Sequence, residues 1–260
     1  MNALAPSRLG KLVYFVAPFV VLVLIWIFVK EGLGASDTVL PSPADVGSSA
    51  DELVSYGILP FDISKSLGRL ALSAVLAAAI GVPIGLLLGS SRYIAMMFGP
   101  FLRFFQSVSG IAILPLVIMW FGFTEKTIQI VILYTALVPV IFNTMTGVST
   151  IPPVYRDAVE TLGGSRWTLL RAVYLPGALA SIVVGVRLGI GYGWRALIAA
   201  EMLVGLGGLG FMIFDARRDH LLGQIFTGMI LIGVLYLIVD RLILSTIEDM
   251  TVRRWGVQRA

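Results

Sequence analysis

Residues 152–176 read PPVYRDAVETLGGSRWTLLRAVYLP, a charged, helix-forming passage set between two apolar stretches. Pro152-Pro153 stands where a helix can begin, because the N–H that proline lacks is one the first turn leaves unbonded anyway. Val154, Ala158, Val159 and Leu162 then fall on one apolar face, until Gly163-Gly164 interrupts the pattern as a C-cap does. Ser165 offers an N-cap oxygen to a second helix over Arg166 to Tyr174, which runs into Leu175-Pro176. The passage reads as helix, glycine bend, helix.

Working outward, the uncharged stretches are 12–29, 70–91, 104–124, 127–155 and 220–239, of 18, 22, 21, 29 and 20 residues. A hydrocarbon layer about 30 Å thick takes roughly 20 helical residues, because each crossing must satisfy its own backbone polar groups. A sixth stretch, 173–203, is long enough but carries Arg187, Arg195 and Glu201. The expectation is an all-α polytopic membrane protein, one domain over 1–260. Its six transmembrane helices fall at about 12–29, 67–90, 100–122, 127–148, 173–203 and 221–243, with a loop over 149–172. The first of these is a retained helix and not a cleaved signal, since its 18 uncharged residues exceed an h-region of about 7–15.

Composition agrees. Of 260 residues, 58% are hydrophobic and 13% charged, against about 45–50% and about 25% in soluble domains. That rules out a disordered chain and argues against a soluble enzyme. There is no cysteine and one histidine, His220, so thiolate chemistry, disulfides and a histidine-rich metal site are excluded. The net charge of +4 is spread along the chain and not gathered in a stripe, which fits anionic lipid and excludes nucleic acid as a partner. With the N-terminus inside, ten Lys and Arg fall in inner segments and six in outer ones. Both termini are therefore expected in the cytoplasm. The outer loop, about 30–66, with Pro41, Ser42, Pro43 and Gly47, reads as an extended surface connector.

Asp157-Ala158-Val159, then Gly163, then Val173, Leu175 and Pro176 resemble the signature of permease subunits of binding-protein-dependent ABC importers. That signature is Glu-Ala-Ala, three residues, Gly, nine residues, Ile, any residue, Leu-Pro. Asp157 replaces Glu, Val159 the second Ala and Val173 the Ile; every spacing matches. Trp120-Phe121-Gly122, Ala199-Ala200-Glu201-Met202 and Gly207-Gly208-Leu209-Gly210-Phe211 are similar to the nitrate, taurine and alkanesulfonate subgroup. The resemblance implies a type I ABC importer permease fold in the bacterial inner membrane, moving a small organic or inorganic anion inward by ATP-driven alternating access. It implies two ATP-binding cassette subunits, a second permease copy and an extracytoplasmic substrate-binding protein as partners. The ATPase-coupling residues would be Asp157, Ala158, Val159, Glu160, Leu162, Gly163, Leu175 and Pro176, on a short helix gripped by the ATPase. An uncharged vitamin precursor is compatible with the same chain.

The chain itself has no phosphate cradle of the G-x-x-x-x-G-K-[ST] type, since Gly10-Lys11 is followed by Leu12. It is expected to bind no cofactor and to catalyse no bond chemistry, with ATP and Mg on the partner ATPase. Gly205-x-Gly207-x-x-Gly210 matches a dinucleotide pattern but lies between membrane helices, and reads as a flexible outer turn. Gly81, Gly85 and Gly89, like Gly185, Gly189 and Gly193, repeat every four residues and mark packing faces, within one subunit or between copies. Arg187, Arg195 and Glu201 share a helix face about 120° wide at about 100° per residue. They are candidate pathway residues, or structural partners for one another and for Asp240. Gln106 and Ser109, with Ser107, could line the same passage or bond their own helix backbone. The rivals are an ATP-independent secondary transporter or channel, for which no internal repeat is visible, and a membrane enzyme, for which the residues are lacking.

Overall fold

The computed structural model describes residues 8–244, and among them the elements are helices with no strand. In chain order they are α1 (Arg8–Ile27), α2 (Pro43–Ser55), α3 (Ile58–Ser90), α4 (Arg92–Ser107), α5 (Leu114–Phe121) and α6 (Glu125–Ser149). Then come α7 (Pro153–Thr161), α8 (Arg166–Leu169), α9 (Leu175–Val204), α10 (Leu209–Arg218) and α11 (Leu222–Ile238). π-helical turns at Phe28–Gly32, Leu170–Tyr174 and Val239–Leu244 extend α1, join α8 to α9 and extend α11.

Two glycine stripes decide which helices touch. Gly81, Gly85 and Gly89 of α3 lie against Val140, Thr144 and Val148 of α6, so a Cβ at Gly85 would stand 2.5 Å from that of Thr144. Numbers rise together, and α3 and α6 are parallel. Gly185, Gly189 and Gly193 of α9 lie against Pro139, Ala136 and Ile132 on another face of α6, in descending order, so α9 is antiparallel to both. Small residues allow this closeness where lipid supplies no hydrophobic drive between helices. The stripes are therefore packing faces within one chain, with α6 held between them. Ile128, Ile132, Leu114, Leu197 and Leu209 are completely buried there.

Among the described residues, five helical stretches are long and apolar enough to cross a membrane: Phe15–Gly32, Ile58–Ser90, Glu125–Ser149, Arg166–Val204 and Leu222–Arg241. The third expected span, 100–122, is not one helix. It is α4, an irregular turn over 108–113, and α5. Since α3 and α6 run parallel, this broken pair makes the return between them. The break is held to α6: a Cβ at Gly110 would meet Thr135 Oγ1 at 1.8 Å, and Tyr134 OH donates to the carbonyls of Phe105 at 2.9 Å and Val108 at 3.3 Å. An uncharged run reports avoidance of water and is blind to such a break.

The stretch read as an extended connector contains α2. Its start is a capping box, in which Ser42 Oγ accepts from Asp45 N–H at 3.1 Å and Asp45 Oδ2 accepts from Ser42 N–H at 3.0 Å, with Pro43 in the first turn. α2 lies along α11, where Thr227 Oγ1 donates to Val46 O at 3.0 Å. α1 is tied to the rest by Trp26, whose indole donates to Pro41 O at 3.1 Å and stacks on Phe226. The arginines at 253, 254 and 259 counted for orientation lie outside the described residues.

Candidate functional site

The bend that the sequence places after α7 is a hydrogen-bonded C-cap. Gly163 has φ +73°, its N–H donates to Glu160 O at 3.0 Å, and Gly164 N–H donates to Val159 O at 2.8 Å. These two bonds make a Schellman motif, which needs a left-handed residue where Gly163 stands. Gly164 is pressed on Val159, since a Cβ there would come within 2.5 Å of Val159 Cγ1. Ser165 Oγ then accepts from Thr168 N–H at 3.2 Å and opens α8. Leu175 N–H bonds back to Leu170 O, five residues away, and this wide turn accommodates Pro176. The second helix thus continues without interruption as Arg166–Val204.

Nothing in α7 is buried. Val154 is 64% and Leu162 87% exposed, so the apolar face read from the sequence is uncovered, flanked by exposed Asp157 and Glu160. Arg156 reaches both acids, at 3.4 Å and 3.7 Å.

At the far end of α9 lies a polar cluster that the sequence reading missed. Three side chains receive the first N–H groups of α10: Asp62 from Gly208 at 2.7 Å, Ser66 from Leu209 at 3.0 Å and Glu201 from Gly210 at 3.0 Å. Ser66 also donates to Glu201, and Arg69 Nη1 bonds Glu201 Oε1 at 2.7 Å and Gly207 O at 2.7 Å. Arg69 holds Glu125 with its other edge, at 2.9 Å and 2.7 Å. The turn read as flexible is clamped from α3, α6 and α9, and a Cβ at Gly208 would lie 2.3 Å from Glu201 Oε1. The signal was present as Asp62, Ser66, Arg69 and Ser73, polar residues at four, three and four steps on one face of an apolar helix.

The pathway candidates on α9 do not meet. Glu201 is fully buried in the clamp. Arg187 pairs with Asp240, in the π-helical turn that extends α11, at 2.9 Å and 2.8 Å, the structural alternative read from the sequence. Arg195 lines a half-open cavity of about 250 Å³ beside the α4–α5 break, together with Gln106 and Ser109. Ser107 turns away and donates to Phe104 O.

Residues 81–257 match the family described as the binding-protein-dependent transport system inner membrane component. The chain belongs to that family. The permease is 34% identical over 221 residues to a Bacillus subtilis protein named as an aliphatic sulfonates transport permease, covering 85% of this chain and 80% of that one. It is 31% identical over 241 residues to the nitrate import permease protein of a Synechocystis strain, covering 89% and 86%. Among solved structures, an inward-facing methionine ABC transporter has a chain of the same fold, with TM-score 0.64 and 19% identity, covering 78% of this chain and 98% of that one. The permease is thus a membrane subunit of an ABC importer, in the subgroup of nitrate, taurine and sulfonate relatives. An ATP-independent channel is set aside.

Proposed function

We propose that this permease imports a small monoanion of the sulfonate or nitrate kind into the cytoplasm, driven by ATP hydrolysis in two separate subunits that grip α7. Two copies of the chain enclose the passage, and a loaded binding protein docks at the clamp end. The chain holds no cofactor; ATP and Mg belong to the gripping subunits. The end bearing α7 is cytoplasmic in this reading, which the excess of Lys and Arg in its loops supports.

One observation supports this reading: an uncovered amphipathic helix is joined, through the hydrogen-bonded Schellman bend at Gly163, to a 39-residue helix that carries the buried Glu201 in its last turn. A partner that fills the Val154 and Leu162 face and moves α7 thereby moves α9 against α6. Val154, Ala158 and Leu162 supply the apolar contact, while Asp157 and Glu160 fix register at its rim. Leu175 and Pro176 mark where the lever enters the bundle. The choice of anion rests on the relatives named for sulfonates and nitrate.

The test is Gly163→Val in the assembled complex. A β-branched residue in the left-handed region costs roughly 1–2 kcal/mol and disfavours the bend. Uptake per ATP hydrolysed is expected to fall severalfold while the chain still inserts. Uptake and binding-protein-stimulated hydrolysis at full rate would refute the lever.

A further inference from the structure

Backbone that leaves the helical ladder inside a bilayer survives only where protein buries it or where it borders a water-filled space. The turn over 108–113 has both: Gly110 is packed on Thr135, and its other side opens on the cavity of about 250 Å³. Tyr134 stands nine residues after Glu125 in α6, and Arg195 nine residues before Val204 in α9. At about 1.5 Å per residue each is roughly 13 Å from its helix end, close to the middle of an about 30 Å layer. Arg195 is therefore too deep to snorkel to the headgroups.

α3, α6 and α9 hold three arginines. Arg69 has Glu125 and Glu201, and Arg187 has Asp240. Among the described residues no carboxylate lies within ion-pairing distance of Arg195, whose one ring contact is Tyr192, 5.9 Å to the centroid. The other polar groups at the cavity are neutral, and two of them are already engaged: Tyr134 OH with the carbonyls of the break and Thr135 Oγ1 with Val131 O. Gln106 and Ser109 are exposed to the space. An ionised group at this depth marks a pathway or a missing counter-charge. The space holds on the order of eight waters at about 30 Å³ each, room for a small anion with part of its hydration.

We infer that this cavity is a transit site for small monoanions, in which Arg195 supplies the charge and Gln106 and Ser109 the neutral hydrogen bonds. The guanidinium fork matches the paired oxygens of a sulfonate, nitrate or carboxylate. A single cation balances one negative charge, so dianions are disfavoured. The inference rests on the anion-importer reading for its biological use, but it assigns selectivity to the membrane subunit itself, separately from any binding protein.

Because the chain has no cysteine, Ser109→Cys places one thiol in the cavity of the complete complex in liposomes. Its reaction with an anionic reagent, sulfonatoethyl methanethiosulfonate, is compared with that of the cationic trimethylammonioethyl analogue, each relative to a free thiol. The anionic reagent is expected to be favoured, and adding Arg195→Gln should collapse the preference roughly tenfold, as loss of a nearby unit charge does at intermediate dielectric. Arg195→Lys should keep most of it. A ratio at or below the free-thiol value in Ser109→Cys alone overturns the proposal even if Arg195→Gln fails to assemble, and so does a preference indifferent to Arg195→Gln. Uptake of nitrate, taurine, ethanesulfonate and bicarbonate is measured in parallel liposomes that hold the unsubstituted complex. Uptake of one without the reagent preference overturns the site alone; the preference without uptake of any upholds the site and overturns the anion-importer reading.

Discussion

Arg69 donates from Nη1 to Glu201 Oε1 at 2.7 Å and so binds α3 to α9 where both meet the start of α10. Arg69 is 6% exposed and Glu201 0%. Charges this deep persist only as partners, and stripping one away leaves the other stranded at about 3–5 kcal/mol. Arg69→Met should therefore lower stability by roughly that amount, and it should free the first turn of α10. Glu125, on the outer edge of the same guanidinium, is 54% exposed. Glu125→Gln should cost no more than about 1 kcal/mol. Thermal unfolding of the detergent-solubilised complex measures both, and equal losses would contradict the clamp.

The glycine stripes of α3 and α9, packed against α6, give an internal comparison. A methyl at Gly85 would meet Thr144 Cβ at 2.5 Å and the Ile141 carbonyl at 2.8 Å, and the backbone contact cannot swing aside. Gly85→Ala should force α3 from α6 at a cost of about 1–3 kcal/mol. Gly233, in α11, has open space where a methyl would stand, with no neighbouring atom within 4 Å. Gly233→Ala should be neutral or stabilise by up to about 1 kcal/mol through helix propensity. Yield of folded permease and its melting temperature separate the two; similar behaviour would mean that the stripes do not set the packing.

Reading the chain alone recovers what hydropathy and local capping encode. Pro153, Gly163 and Ser165 bound α7 and α8 where the spacing predicts them, because each acts through its own few neighbours. Long apolar helices without internal breaks are equally legible. The break after Ser107 is not, since Gly110 is explained only by Thr135, 25 positions away in sequence and in contact in space. Glu201 is misleading for a similar reason: on a helical wheel it joins Arg187 and Arg195, yet its partners Ser66 and Arg69 come from α3. α2 could have been found, because Ser42-Pro43-Ala44-Asp45 is a capping box with proline in the first turn; its many turn-forming residues drew the reading towards a connector.

That capping box makes α2 sensitive to acid. Asp45 accepts from the Ser42 hydroxyl at 2.7 Å and from the Ser42 N–H at 3.0 Å, and these bonds hold its carboxyl below the usual carboxylate range, the hydroxyl contributing most. A pKa lowered in the folded chain means that the box contributes fully above the unfolded value, near about 3.9. The contribution is lost as pH falls through the lower folded value. Protection of the Val46 and Ser48 amides against hydrogen exchange should therefore hold steady at neutral pH and drop below about pH 4. In Asp45→Asn, the amide cannot titrate and this step should vanish, leaving a flat profile from a lower starting level. α2 is attached to α11 through Thr227 and Val46 O, so fraying of its first turn should spread to the Thr227 region in the parent protein. A profile identical in both proteins would show that another acid governs the loosening of α2.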